Sequence, residues 1–363
     1  MIEEIKSKLD NNIYCDLNVE ELKILYAIDN EVYEELSDYR NKRDNYYEDF
    51  CKIFGEEHVA SNPKEINENT ICYSSLLIIN DKLPTYNLKY AYSISYDIDD
   101  YYDGHIYNLE NLEIVYNHFM ILAPYFYESE FPQNLQKVFK NLYLKFNYYD
   151  YLDLSNIDYL KRLQLDIKNI NFENIILPNK LDCLFISNYI DSKDIPHNIN
   201  ELILNRCIVK DNYLKLSSTI EKVSFINMKI NHLNIESNNV KDVELYDIHD
   251  ANVSILPKNI QSLVISHTDA SNLNTLTNLK KLCIKIDSSI DYLPDGLEVL
   301  NAEDMYVDFY FSITFPDSLK DIYINEINQI YRYKEILPKN INIYVGGIKQ
   351  SYDDIFGSKK LII

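Results

Sequence analysis

Apolar residues along most of this 363-residue chain fall into one ten-residue pattern, Leu-Pro-x-x-Leu-x-x-Leu-x-Ile. It stands as Leu177-Pro178-x-x-Leu181-x-x-Leu184-x-Ile186. It returns from Ile195-Pro196 through Ile199, Leu202 and Leu204, and from Leu256-Pro257 through Ile260, Leu263 and Ile265. Further copies start at Leu293-Pro294, Phe315-Pro316 and Leu337-Pro338. Copies without the proline fill the gaps: Leu160/Leu163/Leu165, Ile220/Val223/Phe225, Val240/Val243/Leu245 and Leu279/Leu282/Ile284. From position 156, where the first copy opens, to position 337 there are nine steps of about 20 residues each. The last two apolar positions of a copy alternate, as on a strand with one face turned inward, and the first enters the same interior from a turn. One copy cannot bury these side chains alone. Stacked copies bury them against each other, so the pattern predicts a solenoid with a continuous core. The proline, with φ pre-set and no N–H, suits an irregular entry to the strand.

A step of about 20 residues leaves roughly seven to nine for the outer side once a strand and two turns are subtracted, too few for a full helix. Extended or 3-10 segments are expected there, and the parallel strands should form one long concave sheet. The spacing and the Leu-Pro-x-x-Leu element resemble leucine-rich repeat proteins of protists and of giant viruses that infect amoebae, including the FNIP-related repeats. The Phe-Asn-x-Pro element of FNIP repeats is missing, so only the generic repeat carries over. The expected fold class is α/β: a leucine-rich repeat solenoid with short 3-10 or extended convex segments, preceded by a small helical module. Many such repeats place Asn or Cys three residues after the last strand leucine. Here that slot holds Tyr189, Cys207, Met228, Ile248, Thr268, Asp287, Met305 and Ile327. Only Cys207 conforms, so the turns must satisfy their backbone in another way.

Residues 1–57 follow a different pattern. Val19, Leu22, Leu25, Tyr26 and Ile28, then Val32, Tyr33 and Leu36, recur at helical spacing. Asn18 with Glu21 three residues on forms a capping box, with Asn in the Ser/Thr place. Further helices are expected over about 31–40 and 44–54. Three short helices suit a docking module or an N-terminal cap. Their order resembles a degenerate F-box, although the opening Leu-Pro and the usual Trp of that family have no counterpart. The resemblance implies that Leu22, Leu25, Tyr26, Val32, Tyr33 and Leu36 contact the adaptor that joins F-boxes to a ubiquitin ligase. Residues 58–155 read as transitional, irregular repeats, with the solenoid beginning between 70 and 130. Regular repeats fill 156–346, and 347–363 form a C-terminal cap.

Composition narrows the function. Formal net charge is −22, with 57 acidic against 35 basic residues. That argues against nucleic-acid binding and against docking on an anionic membrane, and it favours basic protein partners. The chain holds 33 Tyr and no Trp, a bias that A/T-rich coding produces. The opening residues lack a secretory pattern, and no apolar run approaches a membrane span. The cysteines at 15, 51, 72, 183, 207 and 283 form no C-x-x-C, which fits reduced thiols in an intracellular, cytoplasmic setting.

No catalytic set emerges. The seven histidines show no H-E-x-x-H spacing, and no phosphate-binding or nucleophile motif occurs, so neither an enzyme nor a cofactor is expected. His249-Asp250 and His267-x-Asp269 read as solvated turn residues. Asp99, Asp103, Gly104, Ile106 and Glu110 match five positions of a calcium loop. Tyr101 replaces a ligand there and the context is strand, so a solvated acidic turn is the better reading. The candidate functional surface is the concave sheet, where residues alternating with the core leucines face outward. One row is Phe185, Ile203, Ser224, Glu244, Val264, Cys283, Asn301 and Tyr323. The next is Ser187, Asn205, Ile226, Tyr246, Ser266, Lys285, Glu303 and Asn325. Phe185, Ile203, Ile226, Tyr246 and Val264 could form an apolar protein-binding stripe, with Tyr323 further along.

Overall fold

The computed structural model describes residues 2–11 and 16–26, then isolated positions and short strands between 36 and 130. Beyond these it describes 141–149, 151–157, 160–168, 171–290, 292–303, 314–327, 330, 334–350, 355 and 356. The chain divides into two compact units, 1–167 with 171–181, and 168–170 with 182–363.

The first unit opens with helices α1 (Ile2–Asn11) and α2 (Val19–Tyr26). The capping box forms: Asn18 N–H donates to Glu21 Oε2 and Glu21 N–H donates to Asn18 Oδ1, both at 2.9 Å. Two otherwise orphaned donors are satisfied reciprocally. Helix α1 lies outside the periodic run read from Val19, yet Ile5 and Leu9 bury its inner stripe at helical spacing. The helices expected over 31–40 and 44–54 lie almost wholly outside the described residues.

Val59–Ala60 and Ile71–Cys72 form a separate two-stranded parallel pair, and the long parallel sheet starts at β1 (Leu77–Ile79) beside β2 (Ile94–Asp97). It continues through β3 (Phe119–Phe126), β4 (Asn141–Tyr149) and β5 (Arg162–Ile167). Leu142, Leu144 and Phe146 pack beside Leu163, Leu165 and Ile167, all buried. On the outer side, Ser129–Glu130, Leu152–Asp153 and Ile175–Ile176 form a narrow parallel ribbon. A 3-10 turn at Phe172–Asn174, capped by the Asn171 side chain, precedes the last of these. Of the acidic loop at 99–110, only Tyr101–Tyr102 are described, and they form a strand.

The second unit is a parallel β-solenoid. Its strands are β6 (Cys183–Ile190), β7 (Glu201–Val209), β8 (Lys222–Ile226), β9 (Asp242–Tyr246), β10 (Ser262–Ser266), β11 (Lys281–Ile284), β12 (Val299–Ala302), β13 (Asp321–Ile324) and β14 (Asn342–Val345). The repeat leucines align coil on coil: Leu184, Leu202, Val223, Val243, Leu263, Leu282, Leu300, Ile322 and Ile343 are successive partners. None is more than 1 % exposed, so the inward row is a dry column. A final strand, β15 (Ile348–Gln350), folds back antiparallel on β14 through Gly346-Gly347. Both glycines have positive φ, as a type I′ hairpin turn requires.

The outer side carries 3-10 turns at Ser192–Asp194, Lys210–Asn212, Val253–Ile255 and Leu273–Thr275. Short parallel strands such as Tyr213–Lys215 with Asn234–Glu236 lie among them. This is the outer geometry that a 20-residue step predicts.

Two ladders join the coils. At the entries to β7 through β13 one carbonyl accepts two N–H groups from the next coil. Asp182 O takes Asn200 and Glu201, Asn200 O takes Glu221 and Lys222, and Glu221 O takes Lys241 and Asp242, with the series continuing to Glu298 O. The repeat proline opens a β-turn whose carbonyl accepts from the leucine three residues on, as in Pro257 O with Ile260 N–H and Pro294 O with Leu297 N–H. The residue just before that leucine donates its side chain to the preceding coil. Thr219 Oγ1 bonds His197 O at 2.7 Å, Asn259 Nδ2 bonds Asn238 O at 2.8 Å, and Asn278 Nδ2 bonds Lys258 O at 2.9 Å.

The corner after each strand is also explained. Asn188, Arg206, Asn227, Asp247, His267 and Asp287 have positive φ, a region Asn and Asp tolerate best among non-glycine residues. The N–H groups of Asn227, Asp247 and His267 donate to Tyr246, Ser266 and Ile286 of the following coil. Beside them the expected slot residues Cys207, Met228, Ile248 and Thr268 turn inward. Cys207 Sγ bonds Ile186 O, and burial pushes its thiol up to about 12. Thr268 Oγ1 shares its one O–H between Ser266 O at 2.9 Å and Leu245 O at 3.3 Å, and accepts from Ile248 N–H at 3.3 Å. A threonine thus takes the place of the asparagine that many leucine-rich repeats use.

Candidate protein-binding face

The outward row is in register from end to end. Phe185, Ile203, Ser224, Glu244, Val264, Cys283, Asn301, Tyr323 and Tyr344 are successive partners across β6 to β14. Ser187, Asn205, Ile226, Tyr246 and Ser266 form the adjoining row. Phe185, Ile203, Ile226, Tyr246, Val264 and Tyr323 are all half-buried. These side chains are anchored at Cβ on a hydrogen-bonded sheet, so the face is rigid at its base while still reachable.

The stripe expected from the sequence is not continuous. Lys222 on β8 lies between two carboxylates, 2.9 Å from Glu201 and 2.9 Å from Glu244. Ser224 Oγ donates to the other oxygen of Glu244 at 2.8 Å. Burial opposes the charge on Lys222, but the two glutamates outweigh it and hold the ammonium above its ordinary range. Phe185 and Ile203 therefore sit on one side of an ion cluster. Val264 sits on the other, and Ile226 with Tyr246 flank it one row along. Burial, with the Glu244 carboxylate beside it, raises the Tyr246 hydroxyl.

Small polar residues line the floor. Ser187, Ser224 and Ser266 point outward yet are buried among taller neighbours. The Oδ1 of Asn205 is buried and finds no hydrogen-bond partner. An unsatisfied buried acceptor costs about 1–3 kcal/mol, and such exceptions gather where a surface has a use beyond stability. At the far end Tyr323 and Tyr344 stack, with centroids 4.4 Å apart and planes 8° from parallel. Asn342 Nδ2 bonds Asp321 Oδ1 at 2.8 Å beside them.

The remaining candidates fall elsewhere. Leu22, Leu25 and Leu36 are fully enclosed in the first unit. Tyr26 ends α2, and Val32 and Tyr33 lie outside the described residues. Cys183 and Cys207 are buried as small apolar residues, while Cys283 is partly open on the sheet face. His267 approaches Asp287 at 3.6 Å rather than Asp269, which instead accepts from Ser289 Oγ. Sequence reasoning missed one apolar pair, Tyr189 and Ile208, which are partners across the extended ends of β6 and β7 and stand exposed. Among the described residues no group of three or more His, Cys, Asp or Glu could hold a metal ion, and no helix is long and apolar enough to cross a membrane.

No family model matches the chain. Among curated proteins it is similar to an uncharacterized protein of Acanthamoeba polyphaga mimivirus, with 27% identity over 177 residues. That stretch is 45% of this chain and 39% of the mimivirus protein. Among solved structures, the circular leucine-rich repeat protein CroV588 aligns with 76% of this chain and 45% of its own, at 15% identity and a TM-score of 0.39. A leucine-rich repeat protein from Bacteroides ovatus aligns with 74% of this chain and 92% of its own, at 13% identity and a TM-score of 0.16. At these scores the fold assignment rests on the register and turns above, not on either structure.

Proposed function

We propose that the chain is a non-catalytic protein-interaction scaffold that binds its partner on the open face of the sheet formed by β6 to β14. The observation that carries this reading is the in-register row of half-buried Phe185, Ile203, Val264 and Tyr323, with Ile226 and Tyr246 beside it. Apolar and aromatic side chains on a rigid sheet are what a protein interface uses as anchors. The test is affinity purification from a host-type extract with the full chain and with an Ile226→Asp/Tyr246→Asp variant of unchanged circular dichroism. Partners lost with the variant support the reading, and partners recovered equally by both overturn it.

Two narrower versions follow from the sequence. In one, residues 1–57 hold a ubiquitin-ligase adaptor and the sheet holds the target. That version has to use side chains other than Leu22, Leu25 and Leu36, which serve the core. Recovery of a ligase adaptor with the full chain would support it. In the other, the acidic chain is a structural or inhibitory binder with no ligase link, favoured by the net charge of −22 and a basic partner.

A further inference from the structure

Charges on the open face of the second unit are sorted by strand. On β9, Asp242 and Glu244 point outward. On β10 the same face shows Ser262, Val264 and Ser266 and no charge. Lys281 lies outward on β11, and Lys285, just beyond its end, continues that face. Glu303 beyond β12 and Asp321 on β13 follow. Asp242, Glu303, Lys281 and Lys285 form no ion pair among the described residues. In a chain of net charge −22, two ammonium groups with no ion-pair partner among the described residues, flanked by acidic groups on both sides, run against the bulk composition.

The acidic groups on β9 and on β13 each lie two strands from the lysines of β11, about 10 Å at the usual strand spacing, with Glu303 one strand from them. An extended segment covers that distance in about three residues and a helix in about seven. A partner with charges of the opposite order is attracted at all three bands. One with the same order meets like charges at all three bands, and a uniformly basic one meets like charge at the centre.

We propose that this face receives one segment of a partner protein whose charges run basic, acidic, basic along the line from β9 to β13. Its acidic side chains meet Lys281 and Lys285. Its basic side chains meet Asp242 at one end and Glu303 and Asp321 at the other, and an apolar residue packs on Val264 and Tyr246. The proposal rests on the reading of this face as the binding face, and it replaces the uniformly basic partner that net charge suggests.

The test is selection of a random peptide display library on the full chain. Clones are then measured on the Lys281→Glu/Lys285→Glu variant and on a Tyr246→Ala/Val264→Ser variant. The expected result is enrichment of peptides with a central Asp or Glu flanked by Lys or Arg at three- or seven-residue spacing. Their affinity falls about tenfold or more on the lysine variant, because charge reversal places like charges in contact. Enrichment of uniformly basic or unordered peptides, or unchanged binding to the lysine variant, overturns the charge order. If binding falls only on the Tyr246/Val264 variant, the face binds but the order is wrong. If neither variant alters binding, or nothing is enriched, the binding-face reading fails as well.

Discussion

Where β7, β8 and β9 run side by side, one lysine is held between two glutamates and a serine secures the second of them. On β11 and just beyond its end, Lys281 and Lys285 project from the same face with no ion-pair partner among the described residues. The inward sides of these two regions are alike: Leu202 and Val223 are as enclosed as Leu282 and Leu300. The difference lies wholly in how outward charges are placed. In the first region one ammonium ties two carboxylates and fixes side chains that would otherwise be mobile. In the second they stay solvated and available. A face of one uniform repeat can therefore be divided into a self-satisfied part and a receptive part by a few side chains.

The comparison can be broken from the inside first. Leu202→Ala and Leu300→Ala should each destabilise by about 2–5 kcal/mol, the range for removing a buried leucine, with urea denaturation as the measure. Markedly unequal losses would move the difference between the regions into the core.

Outward substitutions should separate the regions. Lys222→Ala leaves Glu201 and Glu244 facing each other and is expected to destabilise by about 1–2 kcal/mol, since partial exposure and solvent screening reduce the loss of a fully buried pair. Lys281→Ala and Lys285→Ala should stay within about 0.5 kcal/mol, as for surface positions without partners. Equal effects would abolish the distinction. Tyr344→Ala removes the stack on Tyr323 and should lower stability by about 1 kcal/mol, testing whether the far end is also self-supporting.

The smallest effect concerns pH. The folded state holds Lys222 above its ordinary value of 10.5, so the stability it contributes is fully present below that value and is lost as pH rises through the folded pKa. Urea midpoints of the native chain and Lys222→Ala should keep a constant separation from neutrality to about pH 10 and converge only above it. A separation that already shrinks near pH 8 would mean that the glutamates do not hold this lysine.

Much of the fold was legible because inward positions obey simple periods. Leu181, Leu184 and Ile186 announce turn and strand, and the step length forbids outer helices. The outward row was legible for the same reason, since alternation places Phe185 and Ile203 once Leu184 and Leu202 are inside. Pairing across strands was not. Lys222 reaches backward to Glu201 in its own row and forward to Glu244 in the next, and spacing along one strand says nothing of that reach. The turn ladder had a signal that went unread: Thr219, Asn239, Asn259, Asn278 and Ser318 each stand directly before the repeat leucine.

One joint is repeated at the strand entries from β7 to β13: a single carbonyl accepting two N–H groups from the coil above. Because it is made by backbone alone, it does not depend on which side chains flank it. Asp182, Asn200, Glu221, Lys241, Gln261 and Lys280 all serve as the acceptor. Such joints are interchangeable parts. A coil duplicated or deleted as a unit would meet the same seam above and below. The length of the solenoid is therefore free to drift in descent, while the identity of the outward residues records what each coil has been kept for.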